Sequence, residues 1–74
     1  MEKLIKLLSE IRPDVDFISE KKLVSDGILD SFDIVAVVSE INDAYSASIG
    51  VTELLPENFD SAEAIYALIQ RRLK

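Results

Sequence analysis

Residues 26–33 read Asp26-Gly27-Ile28-Leu29-Asp30-Ser31-Phe32-Asp33, and here the chain turns from loop to helix. Asp30 has the side chain of a helix cap, able to accept hydrogen bonds from backbone N–H groups that a first helical turn leaves free. Asp33 suits that first turn, where a negative charge meets the positive end of the helix dipole. Gly27 permits a tight turn before the cap. Ser31 falls at the exposed tip of the helix. A phosphate on its hydroxyl would meet unpaired N–H donors and a favourable dipole.

The helix that opens there runs to about Ser46. Val37, Ile41 and Tyr45, with Val38, form one stripe that should face a core. Five successive apolar residues, Ile34 to Val38, cannot all lie on one stripe, so some of them should be exposed. The β-branched run also reads as a strand; the start signals and the length of the segment favour a helix.

Upstream, Leu4, Ile5, Leu7, Leu8 and Ile11 have the spacing of an amphipathic helix from about Glu2 to Ile11. Pro13 ends it, because a proline pushes the residue before it out of the helical region. The connection from about Arg12 to Asp30 is long for a small domain. Its apolar residues Val15, Phe17, Ile18, Leu23, Val24, Ile28 and Leu29 are expected to pack across the helices, with a short helical turn at Lys21–Leu23. Downstream, Ile49 and Val51 alternate around Gly50. Pro56 opens a short helical turn, Glu57–Phe59, in the position proline prefers. A last helix spans about Ser61–Leu73, with Ala62, Ile65, Tyr66, Ile69 and Leu73 on its buried face. Arg71, Arg72 and Lys74 offset the dipole at its end. The expected fold is all-α: one domain over residues 1–74, a small bundle of three main helices and one short helix, with a long loop after the first.

Composition narrows the chemistry. The 74 residues are 49% hydrophobic and hold no Cys and no His. Ser-His-Asp and Cys-His catalysis are excluded, as are most zinc sites. Asp14-Val15-Asp16 begins like a calcium loop, but no Gly or Glu follows at the required offsets. No catalytic and no metal-ligating residues are assigned. No apolar run approaches the roughly 20 residues that span a bilayer. The N-terminus does not look like a signal peptide, and a cytoplasmic monomer is expected.

The net charge is −6 and unevenly spread: no Lys or Arg lies between Lys22 and Arg71. That interval carries Asp26, Asp30, Asp33, Glu40, Asp43, Glu53, Glu57, Asp60 and Glu63. Such a field repels nucleic acid and anionic membranes; it either steers the chain toward basic partners or only keeps a small protein soluble.

The chain contains a control for the Asp30-Ser31 pair, because Asp60-Ser61-Ala62-Glu63 has the same cap logic. What distinguishes Ser31 is the Gly27-Ile28-Leu29 approach and the apolar helix that follows. Gly27-Ile28-Leu29-Asp30-Ser31-Phe32 resembles the phosphopantetheine attachment motif of acyl carrier proteins, Gly-x-x-Asp-Ser followed by Leu or Met. The likeness extends over the chain: its length, the long first loop, the acidic middle, Ile49-x-Val51, and Pro56-Glu57-Asn58-Phe59-Asp60-Ser61 before the final helix.

The resemblance implies an acyl-carrier-like bundle and a carrier rather than an enzyme. A phosphopantetheinyl transferase would use coenzyme A and magnesium, the Ser31 hydroxyl attacking the coenzyme's β-phosphate. The covalent 4'-phosphopantetheine so attached would carry acyl groups as thioesters to acyl-transferring, synthase or ligase enzymes with basic patches. Asp30 would serve as motif residue and cap. Phe32, Asp33, Val35, Ala36, Ser39, Glu40 and Asp43 would form the partner-binding surface. Carriers of fatty-acid synthesis usually place further acids where this chain has Ala36 and Asn42. Polyketide, peptidyl or aminoacyl (for example D-alanyl) pathways therefore remain open beside fatty-acid synthesis. Ile34, Val38, Ile49, Phe59 and Ile65 would line any cargo space, or else are plain core. The rival reading is a non-carrier acidic helical domain that binds a partner through the second helix.

If acidic steering governs association, the on-rate toward a basic partner enzyme will fall as salt rises in stopped-flow measurements. A salt-independent on-rate would assign association to the apolar surface instead.

Overall fold

Arg12 precedes Pro13, and the first helix stops there. α1 spans Glu2–Ile11, and Arg12 leaves the helix at φ −132°, ψ 83°, the extended backbone a following proline enforces. The computed structural model describes residues 1–73, with Val51 described through its backbone alone. Lys74, expected among the cations that end the final helix, lies outside them. α2 spans Ser31–Tyr45, a 3₁₀ turn Val51–Glu53, α3 Pro56–Phe59 and α4 Ala62–Arg72. The architecture is the all-α bundle expected. The 3₁₀ turn and an isolated antiparallel bridge between Ala47 and Leu73 had no counterpart in the sequence reading. α1 packs on α2 and α4, and α3 packs on α4.

The core takes Leu4 and Leu8 from α1, Val37 and Ile41 from α2, Phe59 from α3, and Ala62, Ile65, Leu68 and Ile69 from α4. The long loop contributes Phe17, Leu23 and Leu29, all buried. This explains how a 19-residue span without regular structure persists in so small a domain. It is a layer of the core rather than an excursion from it.

Several details differ from the sequence reading. The turn expected at Lys21–Leu23 lies later, over residues 23–27, where Asp26 N–H reaches Lys22 O at 2.9 Å and Gly27 N–H reaches Val24 O. Ile18 does not pack inward; it is 69% exposed, because the turn at 17–19 directs Phe17 into the core. Leu73 does not line the buried face of α4. It has left the helix for extended backbone and is 47% exposed. Leu68, three residues after Ile65 and so on the same face, is buried in its stead. Tyr45 and Tyr66 are half-buried.

One residue fastens the loop. Asp60, between α3 and α4, accepts Val24 N–H at 2.9 Å, Ser25 N–H at 2.8 Å and Ser25 O–H at 2.6 Å on its carboxylate. Its carbonyl accepts Leu23 N–H at 2.8 Å. The Ser25 hydrogen bonds hold the Asp60 carboxyl below its ordinary value of 3.8. Arg12 does the same for Asp14, Ser19 for Asp16 and Lys21 for Glu63.

These carboxylates are depressed in the folded chain, so the stability they contribute is complete above the ordinary carboxylate range. It is lost as pH falls through their folded values. Asp60→Asn is expected to lower unfolding stability near neutral pH by about 1–2 kcal/mol. It should also flatten the loss of stability below about pH 4. Urea midpoints for wild type and variant across that range check both; an unchanged neutral midpoint would remove Asp60 from its role in holding the loop.

Candidate functional site

The site grows from the start of α2. Asp30 stands just before the helix with extended backbone, and its Oδ1 accepts the N–H of Asp33 at 2.9 Å. Asp33 returns the favour, its Oδ2 accepting the N–H of Asp30 at 3.2 Å. This reciprocal pair is a capping box built from two aspartates. Upstream, Gly27 takes φ +74°, a left-handed conformation that glycine adopts without steric cost.

Ser31 is therefore the first residue of the helix, not its cap. It is exposed, and among the described residues its hydroxyl engages no partner. The N–H groups of Ser31 and Phe32 likewise have no protein acceptor there, as expected for a first turn. An oxyanion on Ser31 Oγ would find donors in place, so the residues present fit a phosphate-linked group. The control pair behaves differently. Ser61 is itself the cap of α4, its Oγ accepting Ala64 N–H at 3.1 Å, and Asp60 is turned to the loop. The same dipeptide is used one residue out of register, and only Ser31 is left free.

Two carboxylates beside a phosphate would repel it. Arg12 moderates this. Its Nη1 reaches Asp33 Oδ2 at 2.5 Å and Ile28 O at 3.3 Å, while Nε and Nη2 hold Asp14, both at 3.0 Å. Sequence spacing offered no sign of this cation at the α2 N-terminus, because it arrives across 21 residues. Asp14 and Asp16 are accordingly occupied: Asp14 pairs with Arg12, and Asp16 caps the N–H groups of Ile18 and Ser19.

The outward face of α2 carries Phe32, 87% exposed, and Val35, 59% exposed. The expectation that part of the Ile34–Val38 run faces solvent holds at Val35. Ser39, Glu40 and Asp43 are exposed as well, whereas Ala36 is half-buried and Asp33 is half-buried and engaged with Arg12 and Asp30. Of the residues considered for an internal cargo space, Ile34, Phe59 and Ile65 are closed into the core. Ile49 is buried in the core as well, and it backs a surface groove of about 220 Å³ with the half-buried Val38 and with Val35, Ser39, Gly50 and Leu54. At the far end of α2, Lys3 donates to Ala44 O at 3.2 Å and lies 4.5 Å over the Tyr45 ring. The Tyr45 hydroxyl is enclosed, which pushes its pKa up. Among the described residues no helix is long and apolar enough to cross a membrane.

Asp30→Ala is expected to cost about 1 kcal/mol of unfolding stability, and Asp30→Ser to recover most of it, measured by thermal melts. Equal stability of the Ala and Ser variants would mean that the cap does not hold the start of α2. Comparison of the chain with family models, curated proteins and solved structures returns no match.

Proposed function

We propose that this chain is a carrier domain that bears 4'-phosphopantetheine on Ser31 and presents acyl groups to partner enzymes. The observation that carries the reading is the state of Ser31. Its hydroxyl is exposed and uncommitted on the first residue of α2, behind a capping box that fixes the helix start. The resemblance of Gly27–Phe32 to the attachment motif supports the same position. When bound, the arm supplies a thiol that holds acyl groups as thioesters, a function for which the chain has no Cys of its own.

The residues of the chain position and recognise. Asp30 and Asp33 hold the first turn so that Ser31 Oγ projects into solvent, where a transferase can reach it. The Ser31 and Phe32 N–H groups and the helix dipole favour the attached phosphate. Arg12 offsets the adjoining carboxylates. Phe32 and Val35 offer apolar contact to partners, and Glu40 and Asp43 offer charge to basic ones. α2 carries Ala36 and Asn42 where the resemblance to fatty-acid-type carriers would place further acids, and it exposes Phe32 and Val35. This favours polyketide, peptidyl or aminoacyl partners.

Incubation with coenzyme A, magnesium and a broad-range phosphopantetheinyl transferase is expected to add the mass of one arm to wild type and to Ser61→Ala, and none to Ser31→Ala. An unmodified wild type, or loss of modification in Ser61→Ala alone, would overturn the assignment.

A further inference from the structure

Residues 23–30 lead into Ser31 without a helix or strand of their own, so whatever fixes their backbone fixes the start of α2. Both backbone groups of Leu23 are engaged. Its N–H donates to Asp60 O at 2.8 Å, and its carbonyl accepts Leu29 N–H at 2.8 Å. Leu23 and Leu29 are buried, and Leu29 stands two residues before Ser31. Between them Val24 O accepts Gly27 N–H at 3.0 Å, and Gly27 turns the chain at φ +74°. The Asp60 carboxylate takes the rest of the base: Val24 N–H, Ser25 N–H and Ser25 O–H. The approach to Ser31 is thus a closed loop with its base on Asp60 and its exit at the α2 cap. From the other side Arg12 reaches Ile28 O at 3.3 Å.

We infer that Asp60 is a positioning residue for the modification of Ser31. It grips Leu23, Val24 and Ser25 from the junction of α3 and α4, and the loop they close delivers Ser31 in the arrangement a transferase takes. The inference rests on the carrier reading for the reaction it serves; the grip itself belongs to the unmodified chain. Without the carboxylate the loop opens locally while the helices stay packed. Only the closed fraction is then competent, so the apparent affinity of a transferase for the chain falls in proportion to that fraction, while the turnover of bound chain is unchanged. The signature is a rise in KM at constant kcat. The size of the effect follows from the bonds lost. Three hydrogen bonds end on the Asp60 carboxylate, and each bond to a charged group is worth about tenfold or more in an equilibrium.

The test uses the full unmodified chain as wild type, Asp60→Ala, Asp60→Asn, Ser25→Ala and Ile41→Val. The last is a core variant in the far half of α2 that costs stability without touching the loop. Amide hydrogen exchange by NMR is expected to rise about tenfold or more at Gly27, Leu29 and Asp33 in Asp60→Ala, relative to Leu68 in α4. With coenzyme A, magnesium and a broad-range phosphopantetheinyl transferase, Asp60→Ala should raise KM for the chain about fivefold or more and leave kcat within twofold. Asp60→Asn keeps acceptors for the Val24 and Ser25 N–H groups, and Ser25→Ala keeps the charge. Both should show smaller increases in exchange and KM, and they decide the matter if Asp60→Ala does not fold. Ile41→Val should leave KM unchanged. Faster exchange confined to Val24 and Ser25, a KM in Asp60→Asn raised as far as in Asp60→Ala, or an equal rise in Ile41→Val would each overturn the inference. A wild type that takes no arm would sink the carrier reading, and exchange alone would then judge the grip.

Discussion

The fold depends on holding the long first loop against the helices. Phe17, Leu23 and Leu29 complete a core that the helices do not close, and their backbone lacks regular structure to keep them there. Four hydrogen bonds to the single residue Asp60 supply that restraint at Leu23, Val24 and Ser25. A carboxylate surrounded by donors is a strong anchor, since charge-assisted hydrogen bonds exceed neutral ones. Because Leu29 N–H in turn bonds Leu23 O at 2.8 Å, the restraint passes along the loop to the start of α2. The position of Ser31 is therefore tied to the junction of α3 and α4.

Electrostatics are handled by placement rather than by neutrality. An acidic chain with aspartates at 26, 30 and 33 beside its candidate attachment point has a repulsion to contain. It spends Asp30 and Asp33 on the first turn of α2, where backbone donors and the dipole stabilise them, and draws Arg12 across from the end of α1. What remains outward on α2 is a mixed surface, with Phe32 and Val35 beside Glu40 and Asp43. Such a surface allows charge to guide approach and apolar contact to retain the partner.

Asn42 shows how a polar residue on a half-buried helix face becomes intelligible only through its partners. As a letter in the sequence it is one polar residue on an acidic helix. In the fold it is a clamp on Ile49, and a carboxylate at its place would lack the donor that Ile49 O requires.

The sequence alone determined the helix count, the start of each long helix and most of the core, because these follow from periodicity, caps and proline, all local in the chain. The boundaries of α1 and α2 came from Pro13 and from the Asp30 cap, and the exposure of part of the Ile34–Val38 run from the geometry of a helix face. Ile18 and Leu73 depart from periodicity, since turn direction and a bridge to Ala47 outweigh it at element ends. The tertiary structure decided the rest. Asp30-Ser31 and Asp60-Ser61 are alike as dipeptides, yet one serine is free and the other is a cap. The difference lies in what the aspartate finds nearby, its own helix at 30 and a loop thirty-five residues away at 60. Arg12 on Asp33 and Asn42 on Ile49 are likewise contacts between segments, and hydrogen-bonding potential in a sequence does not name its partner until packing brings one within reach.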